Sequence, residues 1–402
     1  MQKSGWMLIN IVIVFSLIAS LLGCDKKTPE GLISPDKKIS VKVLVTDQNT
    51  LAYSIDREGQ PVIFESALGL QLTDADFTQG VEINAQSPIT QVTDTYQMQV
   101  GKKRDITYKA NEQTFSITNA QQQKLTLIFR VSNDGVAFRY SVTDSTIANK
   151  QFVKEITNFH FAKTANAWLQ PMAVAQTGWS NTNPSYEEHY QSEVPVGTEA
   201  KLGQGWVFPA LFKTVENAVN DQWVVISETA MDGSWHGSHL QLGSTAGLYT
   251  IAPPQAAEVF ISATGEKGAL LANANEVLVS PWRIIALGSL AQVMESTLGT
   301  DLAAPSIAIE KDFIKPGHSS WSWAILKDDF TTFDVQKKFI DYAADMHWDY
   351  TLIDADWDKK IGYEKLQELV DYAAQKNIGI LVWYNSSGAW NTSPYSPKSQ
   401  LI

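Results

Sequence analysis

Residues 39–56, ISVKVLVTDQNTLAYSID, set the character of most of this chain. Apolar side chains occupy every second position from Ile39 to Val45, and a second alternating run begins at Leu51, after a polar turn at 47–49. A period of two residues places apolar side chains on one face of a strand. Two such runs joined by a polar turn predict an antiparallel hairpin. The stretch therefore indicates a β-rich domain.

Short apolar runs continue along the chain, separated by Gly, Asn or Asp. They lie at Thr126–Phe129, Val136–Val142, Trp223–Ser227 and Trp282–Leu287. Short strands with turn residues between them are typical of stacked antiparallel sheets. We therefore assign residues 39–300 to an N-terminal antiparallel β-sandwich domain.

The pattern changes near Lys315, where strand and helix spacing begin to alternate. In order, the residues predict a strand at Ser319–Leu326, a helix with Val335, Phe339, Ala343 and Met346 on one face, a strand at Tyr350–Ile353, a helix with Leu366, Leu369, Val370 and Ala373 on one face, and a strand at Gly379–Tyr384. This order is typical of a parallel α/β unit. Two interpretations remain open, a small open sheet or the first part of an eight-fold barrel, because a complete barrel needs on the order of 200 residues.

The N-terminus has the features of an export signal. An early cation, Lys3, precedes an apolar run from Ile9 to Leu22 that is short for a bilayer span. The run ends in Leu21-Leu22-Gly23-Cys24, which resembles a bacterial lipobox with Cys24 as the lipidated residue. A plain secretory signal that happens to end in cysteine is the alternative. We assign residues 1–24 to a lipoprotein signal peptide and 25–38 to a tether, which predicts a lipid-anchored protein in the bacterial cell envelope, facing the periplasm or the cell surface.

Composition excludes several classes of protein. A net charge of −12 argues against nucleic acid as a partner, because such binding needs cations that neutralise phosphates. The six histidines lack the paired spacing of zinc proteases, and no phosphate-binding Gly-rich loop is present. Cys24 is the single cysteine, which excludes an internal disulfide and a thiol nucleophile in the processed chain.

Several motifs, in order and spacing, resemble glycoside hydrolase family 97 across most of residues 39–384. They are Leu51-Ala-Tyr-Ser-Ile55, Pro61-Val-Ile63, Ser66-Ala-Leu-Gly-Leu70, Asp134-Gly-Val-Ala-Phe-Arg-Tyr140, Ser185-Tyr-Glu-Glu-His-Tyr190, Ser280-Pro-Trp-Arg-Ile284, Lys315-Pro-Gly317, Ser320-Trp-Ser-Trp323, Phe339-Ile-Asp-Tyr-Ala343 and Tyr350-Thr-Leu-Ile-Asp-Ala-Asp-Trp357. The resemblance implies a β-sandwich ahead of a (β/α)8 barrel, so that residues 301–402 are the start of a truncated TIM barrel.

The same resemblance implies an exo-acting glycosidase that cleaves terminal α-glucosidic or α-galactosidic bonds with two carboxylates. The family contains both retaining and inverting members and carries its catalytic carboxylates on later strands. We therefore expect the catalytic residues beyond Ile402 and no activity from these 402 residues alone.

A calcium cofactor is a further implication of the resemblance, because the family draws one glutamate ligand from its N-terminal domain. Glu187 best matches that ligand, and calcium prefers carboxylate oxygens. Without the resemblance, a Glu pair in a polar loop is typical of a solvated surface.

Four residues are candidate contacts for an oligosaccharide substrate, since barrel sites form where parallel strands end. They are Trp321 and Trp323 at the first strand and Asp354 and Asp356 at the second. Three further residues, Trp383, Tyr384 and Asn385, stand at the end of the third strand. Indole rings offer a flat apolar face and carboxylates accept from hydroxyls. Alternation along a strand would place the two tryptophans on one face. Core or domain-interface packing for the tryptophans, and a loop or helix cap for the aspartates, are the alternatives.

Two readings without catalysis also stay open. The first is an envelope lipoprotein that binds carbohydrate without hydrolysing it, and the second is a purely structural lipoprotein.

Overall fold

The computed structural model describes residues 31–175, 177, 188–214, 221–245, 247–259, 267–307, 310 and 313–384. The predicted signal peptide with Cys24, the first part of the predicted tether, Glu187 and Asn385 all lie outside these ranges.

Strands make up most of the regular secondary structure in the described part of the chain, as the sequence predicts. They are β1 (Leu32–Ile33), β2 (Ile39–Val45), β3 (Leu51–Arg57), β4 (Gln60–Leu68), β5 (Leu70–Leu72), β6 (Ala75–Asp76), β7 (Glu82–Gln86), β8 (Thr90–Gln97), β9 (Asp105–Thr118), β10 (Lys124–Ser132), β11 (Gly135–Val142), β12 (Phe152–Glu155), β13 (Asn158–His160), β14 (Asn166–Leu169), β15 (Gln191–Pro195), β16 (Ala210–Thr214), β17 (Gln222–Thr229), β18 (His239–Leu242), β19 (Leu248–Ala252), β20 (Leu278–Val279) and β21 (Trp282–Gly288). A 3-10 helix at Ala256–Glu258 lies between β19 and β20, and two helices, α1 (Leu290–Glu295) and α2 (Leu298–Asp301), follow β21.

These strands form three antiparallel sheets. Sheet A has seven strands in the order β1-β2-β3-β4-β13-β19-β18. Sheet B has 11 strands, in the order β15-β14-β16-β17-β21-β11-β10-β9-β7, with β20 on β11 and β8 on β9. Sheet C is the small sheet β12-β5-β6. We call the part of the chain from β1 to α2, which carries these sheets, the two-sheet domain, after its two large sheets A and B.

Sheets A and B share one apolar core, an arrangement that fits the predicted sandwich. Tyr53 of sheet A lies 5.3 Å from Phe138 and 6.1 Å from Phe129 of sheet B, between ring centroids, and all three side chains are fully buried. The alternation in the sequence accounts for these contacts, because it directs the apolar side chains of both sheets into the space between them.

Residues at the end of the predicted tether pair with the first long strand of the fold. Leu32 is buried and β1 pairs with β2, with Leu32 opposite Val41. Ser34 then closes the turn, because its Oγ accepts hydrogen bonds from the backbone N–H groups of Lys38 and Ile39. Only two residues pair, which is too short a strand for an alternating pattern to reveal.

Strand β21 is buried on both faces, which explains its continuous apolar sequence. Trp282, Ile284 and Ala286 pack with Leu298 and Leu302 in a second, smaller core on the outer side of sheet B. Residues at the alternate positions of β21 point into the space between the two large sheets. The strand is therefore a wall shared by two cores.

Arg283 is the one charged residue of β21, and it is buried together with two glutamates. Its Nη2 donates to Oε2 of Glu155 at 2.5 Å, its Nε donates to Oε1 of the same residue at 3.1 Å, and its Nη1 donates to Glu228. Glu228 also accepts from the backbone N–H of Ser238 at 2.8 Å. Burial alone would lower the pKa of Arg283, but the two carboxylates outweigh it and raise that pKa, so the guanidinium remains charged. The group joins sheet C, through Glu155, to sheet B.

Replacing Arg283 with methionine should lower the free energy of unfolding by about 3–5 kcal/mol, because two carboxylates would remain buried without a cation. Urea denaturation followed by circular dichroism measures the change. The control is Lys38→Met, which breaks the exposed pair with Glu58 (3.5 Å) and should cost about 1 kcal/mol or less. Equal effects of the two variants would contradict the structural role assigned to Arg283.

Two buried histidines in the same domain make its stability depend on pH. Burial, helped by the charge of Arg283, lowers the pKa of His236 to about 4, and burial lowers the pKa of His239 to about 4. The Nδ1 atom of His236 accepts from the backbone N–H of Ala272 at 3.1 Å, which requires that nitrogen to carry no proton.

Both histidines should stabilise the fold fully above pH 6.5, their ordinary pKa, and progressively less as the pH falls toward 4. The unfolded chain binds protons in this range and the folded chain does not, so each histidine contributes up to about 3 kcal/mol. Unfolding free energies measured across this range should fall less steeply for His236→Asn than for the unsubstituted chain. Parallel curves for the two proteins would show that His236 does not contribute.

After the two-sheet domain, strands and helices alternate as the sequence predicts. They are β22 (Ser319–Trp321), α3 (Trp323–Leu326), α4 (Phe333–Asp345), β23 (Tyr350–Ile353), α5 (Trp357–Lys360), α6 (Tyr363–Ala374) and β24 (Gly379–Val382), with a 3-10 helix at Asp328–Phe330. The three strands form a parallel sheet, sheet D, in the order β22-β23-β24. On one face of sheet D, Ile340 of α4 and Leu369 of α6 pack with Ile353.

Two details of this region differ from the sequence-based expectations. The predicted strand at Ser319–Leu326 ends at Trp321, because the carbonyl of Ser322 accepts from the N–H groups of Ile325 and Leu326 and begins a helical turn. In α4 the buried face contains Gln336, while Met346 is 47% exposed. Gln336 is buried because its amide bonds to Ser322, a polar contact that hydrophobic spacing does not register.

Candidate functional site

The candidate site lies where the parallel strands of sheet D end. Because β22, β23 and β24 run in the same direction, their carboxyl ends meet at one edge of the sheet. Trp321 ends β22, Asp354 follows β23, and Trp383 and Tyr384 follow β24. The structure thus places residues from all three predicted strand ends at this edge.

Trp321 and Asp354 form a direct hydrogen bond there. The indole Nε1 of Trp321 donates to Oδ2 of Asp354 at 2.5 Å, and the backbone N–H of Ala355 donates to Oδ1 at 2.6 Å. Asp354 is only 7% exposed, whereas Trp321 is 41% exposed. Each carboxylate oxygen has a second lone pair, so Asp354 can accept from another donor while it stays fixed.

Trp323 supports the ring of Trp321. The two indoles are stacked, with centroids 5.5 Å apart and planes 14° from parallel. The Nε1 atom of Trp323 donates to Asp328, and the ammonium of Lys327 lies 4.1 Å from its ring centroid. The two tryptophans are neighbours as expected, although Trp323 begins a helix and does not continue the strand. That Trp323 itself contacts a substrate stays a prediction.

Asp356 adopts a left-handed backbone conformation, with φ 62° and ψ 8°. It stands at the start of α5, where its carbonyl accepts from the N–H groups of Lys359 and Lys360. Its side chain makes no capping bond and lies 3.6 Å from the ammonium of Lys359. Left-handed geometry is uncommon outside glycine and indicates a tightly constrained turn. A direct contact of Asp356 with substrate stays a prediction.

Trp357 has a structural role at this edge. It is 1% exposed, and its Nε1 donates to the carbonyl of Trp383 at 2.9 Å. Its ring contacts those of Tyr363 and Tyr384 edge to face, at 5.0 and 5.4 Å. The backbone N–H of Trp383 in turn donates to the carbonyl of Ile353. Trp357 therefore holds together the segments that follow β23 and β24.

A row of apolar residues lies on the other face of sheet D, and its two leucines are not among the site residues predicted from the sequence. Trp321, Leu352 and Leu381 are neighbours across the three strands, and Leu381 is 44% exposed. Strand alternation is the signal that could have found them, because the residues between them face α4 and α6. Beside this row, a Cβ added at Gly379 would lie 2.7 Å from the ring of Tyr350, so any larger residue there would have to displace that ring.

The structure does not test the predicted calcium ligand or lipid anchor, because Glu187 and Cys24 lie outside the described ranges. Among the residues that are described, no group of three or more His, Cys, Asp or Glu side chains could hold a metal ion. Within the same residues, no helix has the length and apolar character needed to cross a bilayer.

A β-rich domain followed by parallel strands that end in tryptophan and carboxylate is an arrangement suited to a carbohydrate-active protein. The sequence profile described as Glycosyl-hydrolase 97 N-terminal matches residues 32–305. The chain therefore belongs to glycoside hydrolase family 97.

Several relatives accompany this match. The chain is 28% identical to a probable retaining alpha-galactosidase of Streptomyces bingchenggensis, over 83% of this chain and 49% of that protein. It is 22% identical to a retaining alpha-galactosidase of Bacteroides thetaiotaomicron, over 95% and 58% of the two chains. A crystal structure of a beta-arabinopyranosidase superposes with a TM-score of 0.83 at 34% identity, over 91% of this chain and 57% of that one. A family 97 enzyme from Pseudoalteromonas sp. strain K8, solved with acarbose, shares the fold with a TM-score of 0.70 at 22% identity. The chain spans about half the length of the curated relatives it matches.

The Trp321–Asp354 bond can be tested by a double-mutant cycle. Trp321→Phe keeps an aromatic ring but removes the donor, and it should lower the free energy of unfolding by about 1–3 kcal/mol because a buried carboxylate loses its partner. In the Asp354→Asn background the same change should cost less, since no charge is left unpaired. Chemical denaturation of the four proteins gives the coupling. Strictly additive effects would mean that the bond contributes nothing.

Proposed function

We propose that this chain is the N-terminal part of an exo-acting α-glycosidase that removes terminal α-galactosyl units from oligosaccharides, with terminal α-glucosyl units as the other candidate substrate. The observation that carries the proposal is the Trp321–Asp354 pair at the carboxyl ends of parallel strands. Membership of glycoside hydrolase family 97 supplies the reaction class. The names of both curated relatives favour galactosides and retention of configuration.

In this proposal, Asp354 and Trp321 contact the same sugar ring. Asp354 accepts hydrogen bonds from hydroxyl groups, and its burial makes each bond stronger than it would be in water. The exposed ring of Trp321 offers its apolar face to the C–H groups of a pyranose. Trp323 and Trp357 act through their neighbours: Trp323 stacks on Trp321, and Trp357 fixes the segments after β23 and β24.

We also propose that sheet D is the first part of a (β/α)8 barrel. Helices α4 and α6 cover one face of the sheet, while the row of Trp321, Leu352 and Leu381 lies on the other. In a barrel that second face is the interior, which is filled by side chains from all strands. Residues 301–402 would then be the start of the barrel, as the sequence analysis expects.

The bond cleavage itself is assigned to two carboxylates on strands that follow Ile402. In a retaining enzyme the two carboxyl groups stand roughly 5–5.5 Å apart, one as acid and one as nucleophile. We do not assign either role to Asp354, because its oxygens are already engaged by an indole and a backbone N–H and suit a fixed acceptor. Asp356 is proposed as a neighbouring polar contact.

Calcium is proposed as a cofactor, with Glu187 as a ligand, on the family resemblance alone. When bound it would supply a positive charge close to the sugar, and a carboxylate such as Glu187 suits its preference for oxygen. Cys24 is likewise proposed as the site of a lipid anchor that holds the protein in the cell envelope.

The proposal predicts that the full-length protein hydrolyses p-nitrophenyl α-galactoside faster than the α-glucoside. Asp354→Ala should lower kcat/KM by roughly a hundredfold, because a charged acceptor for substrate hydroxyls is lost. Asp345→Ala, which removes an exposed carboxylate at the end of α4, is the matched control and should leave kcat/KM unchanged. The 402 residues alone should show no turnover.

Three results would change the proposal. Equal effects of Asp354→Ala and Asp345→Ala would remove Asp354 from the site. Turnover by the 402 residues alone would place the catalytic carboxylates within them. Binding of saccharides without any hydrolysis by the full-length protein would favour a carbohydrate-binding lipoprotein instead.

The substrates to be tested include p-nitrophenyl β-L-arabinopyranoside. That sugar has the ring configuration of α-D-galactose without its hydroxymethyl group, and a beta-arabinopyranosidase is among the similar structures.

A further inference from the structure

We propose that the two-sheet domain carries a saccharide-binding site of its own, in a cleft on sheet A that takes no part in hydrolysis. The cleft has a volume of about 600 Å³, within the range of roughly 300–1,000 Å³ that is usual for small-molecule sites. It lies between the turn that joins β2 to β3, the middle of β4, strand β13 and the turn before β19.

The cleft exists because sheet A is interrupted between β4 and β13. Only one residue pair, Phe64 with His160, joins these strands. Beyond it, side chains replace the ladder: Oδ1 of Asn158 accepts from the N–H of Ala67 at 2.9 Å, and Oγ of Ser66 accepts from the N–H of His160 at 3.0 Å. The strands therefore separate without leaving these N–H groups unpaired. The side chains that make these bonds belong to strands β4 and β13, so the separation does not depend on a loop.

Exposed side chains with hydrogen-bond acceptors line the cleft. Asp47 and Gln48, both exposed, project from the turn between β2 and β3, and Glu65, also exposed, stands on β4. In the described part of the chain, no side chain or backbone group donates to either carboxylate. The acceptors are therefore free to take hydroxyl donors from a ligand.

Two leucines and an imidazole ring also line the cleft. Leu44 and Leu248 line it, and the half-buried imidazole of His160 lies against Phe64 with ring centroids 5.7 Å apart. Apolar and ring surfaces pack against the C–H faces of sugars, while the carboxylates accept from their hydroxyls. Two carboxylates repel an anionic ligand. A neutral sugar fits this combination better than a uronic acid or a phosphorylated compound.

The test is saturation-transfer NMR with melibiose, a neutral α-galactoside, on the chain carrying Trp321→Ala. That substitution removes the exposed ring of the candidate catalytic-domain site, and a further loss of binding when Asp47 and Glu65 are replaced would assign the remaining transfer to the cleft. We expect transfer to melibiose and little to galacturonic acid. Adding Asp47→Ala and Glu65→Ala should weaken melibiose binding by about tenfold or more, as expected for lost charged acceptors. Adding Glu82→Ala, an exposed carboxylate on β7, should not change it.

Several outcomes would overturn the proposal: no transfer in the Trp321→Ala protein, equal transfer to galacturonic acid, or unchanged binding after Asp47 and Glu65 are replaced. Because both carboxylates are exposed, their removal should leave the thermal unfolding curve unchanged, and that curve separates lost binding from lost structure. Failure here leaves the proposed hydrolase function untouched, since that function is tested on Asp354.

Discussion

The ion pairs of Arg283 with Glu155 and Glu228 are the constraint on which the two-sheet domain depends. All three side chains lie at most one-tenth exposed between layers of apolar residues, and Arg283 is directly opposite Glu228 in the ladder between β17 and β21. A buried cation is tolerated only where its partners are in place, so sheet C and the loop after β17 must adopt one arrangement. On the other face of β21, Trp282 packs against the guanidinium groups of Arg130 and Arg139, at 4.9 and 4.4 Å from its ring centroid. One strand thus fixes the layers on both of its sides.

Much of the fold follows from local patterns, because strands and amphipathic helices bury side chains at characteristic intervals. The hairpin of β2 and β3, the apolar run of β21 and the alternation after Lys315 were all predictable on this basis. Pairing between distant strands was not, since sheet A places β13 beside β4 through a single residue pair and side-chain bonds. The burial of Gln336 could not be predicted from the sequence either, because a polar residue is buried only when a particular partner, here Ser322, is present. The limits of the predicted domains stay predictions.

The candidate site, like the fold, could be predicted only in part from the sequence. Positions at the ends of parallel strands follow from the strand order, so Trp321 and Asp354 could be named from the sequence. Their direct hydrogen bond could not, because it depends on how far apart the strand ends lie. The left-handed turn at Asp356 and the burial of Trp357 also arise from tertiary packing. For Glu187 and Cys24 the argument is still the resemblance and the local sequence.

Because β21 is buried on both faces, a fold in which this strand pairs in the wrong register would be destabilised. If the strand shifted by one residue against its neighbours, Arg283 would face Leu298 and Leu302, and Trp282 would enter the space beside Glu155. Two carboxylates would lose their cation and a cation would enter an apolar layer, so the misaligned state would be penalised on both sides at once. Apolar residues alone would tolerate such a slip far better. The single charge in an otherwise apolar strand therefore favours the correct register over one shifted by a residue.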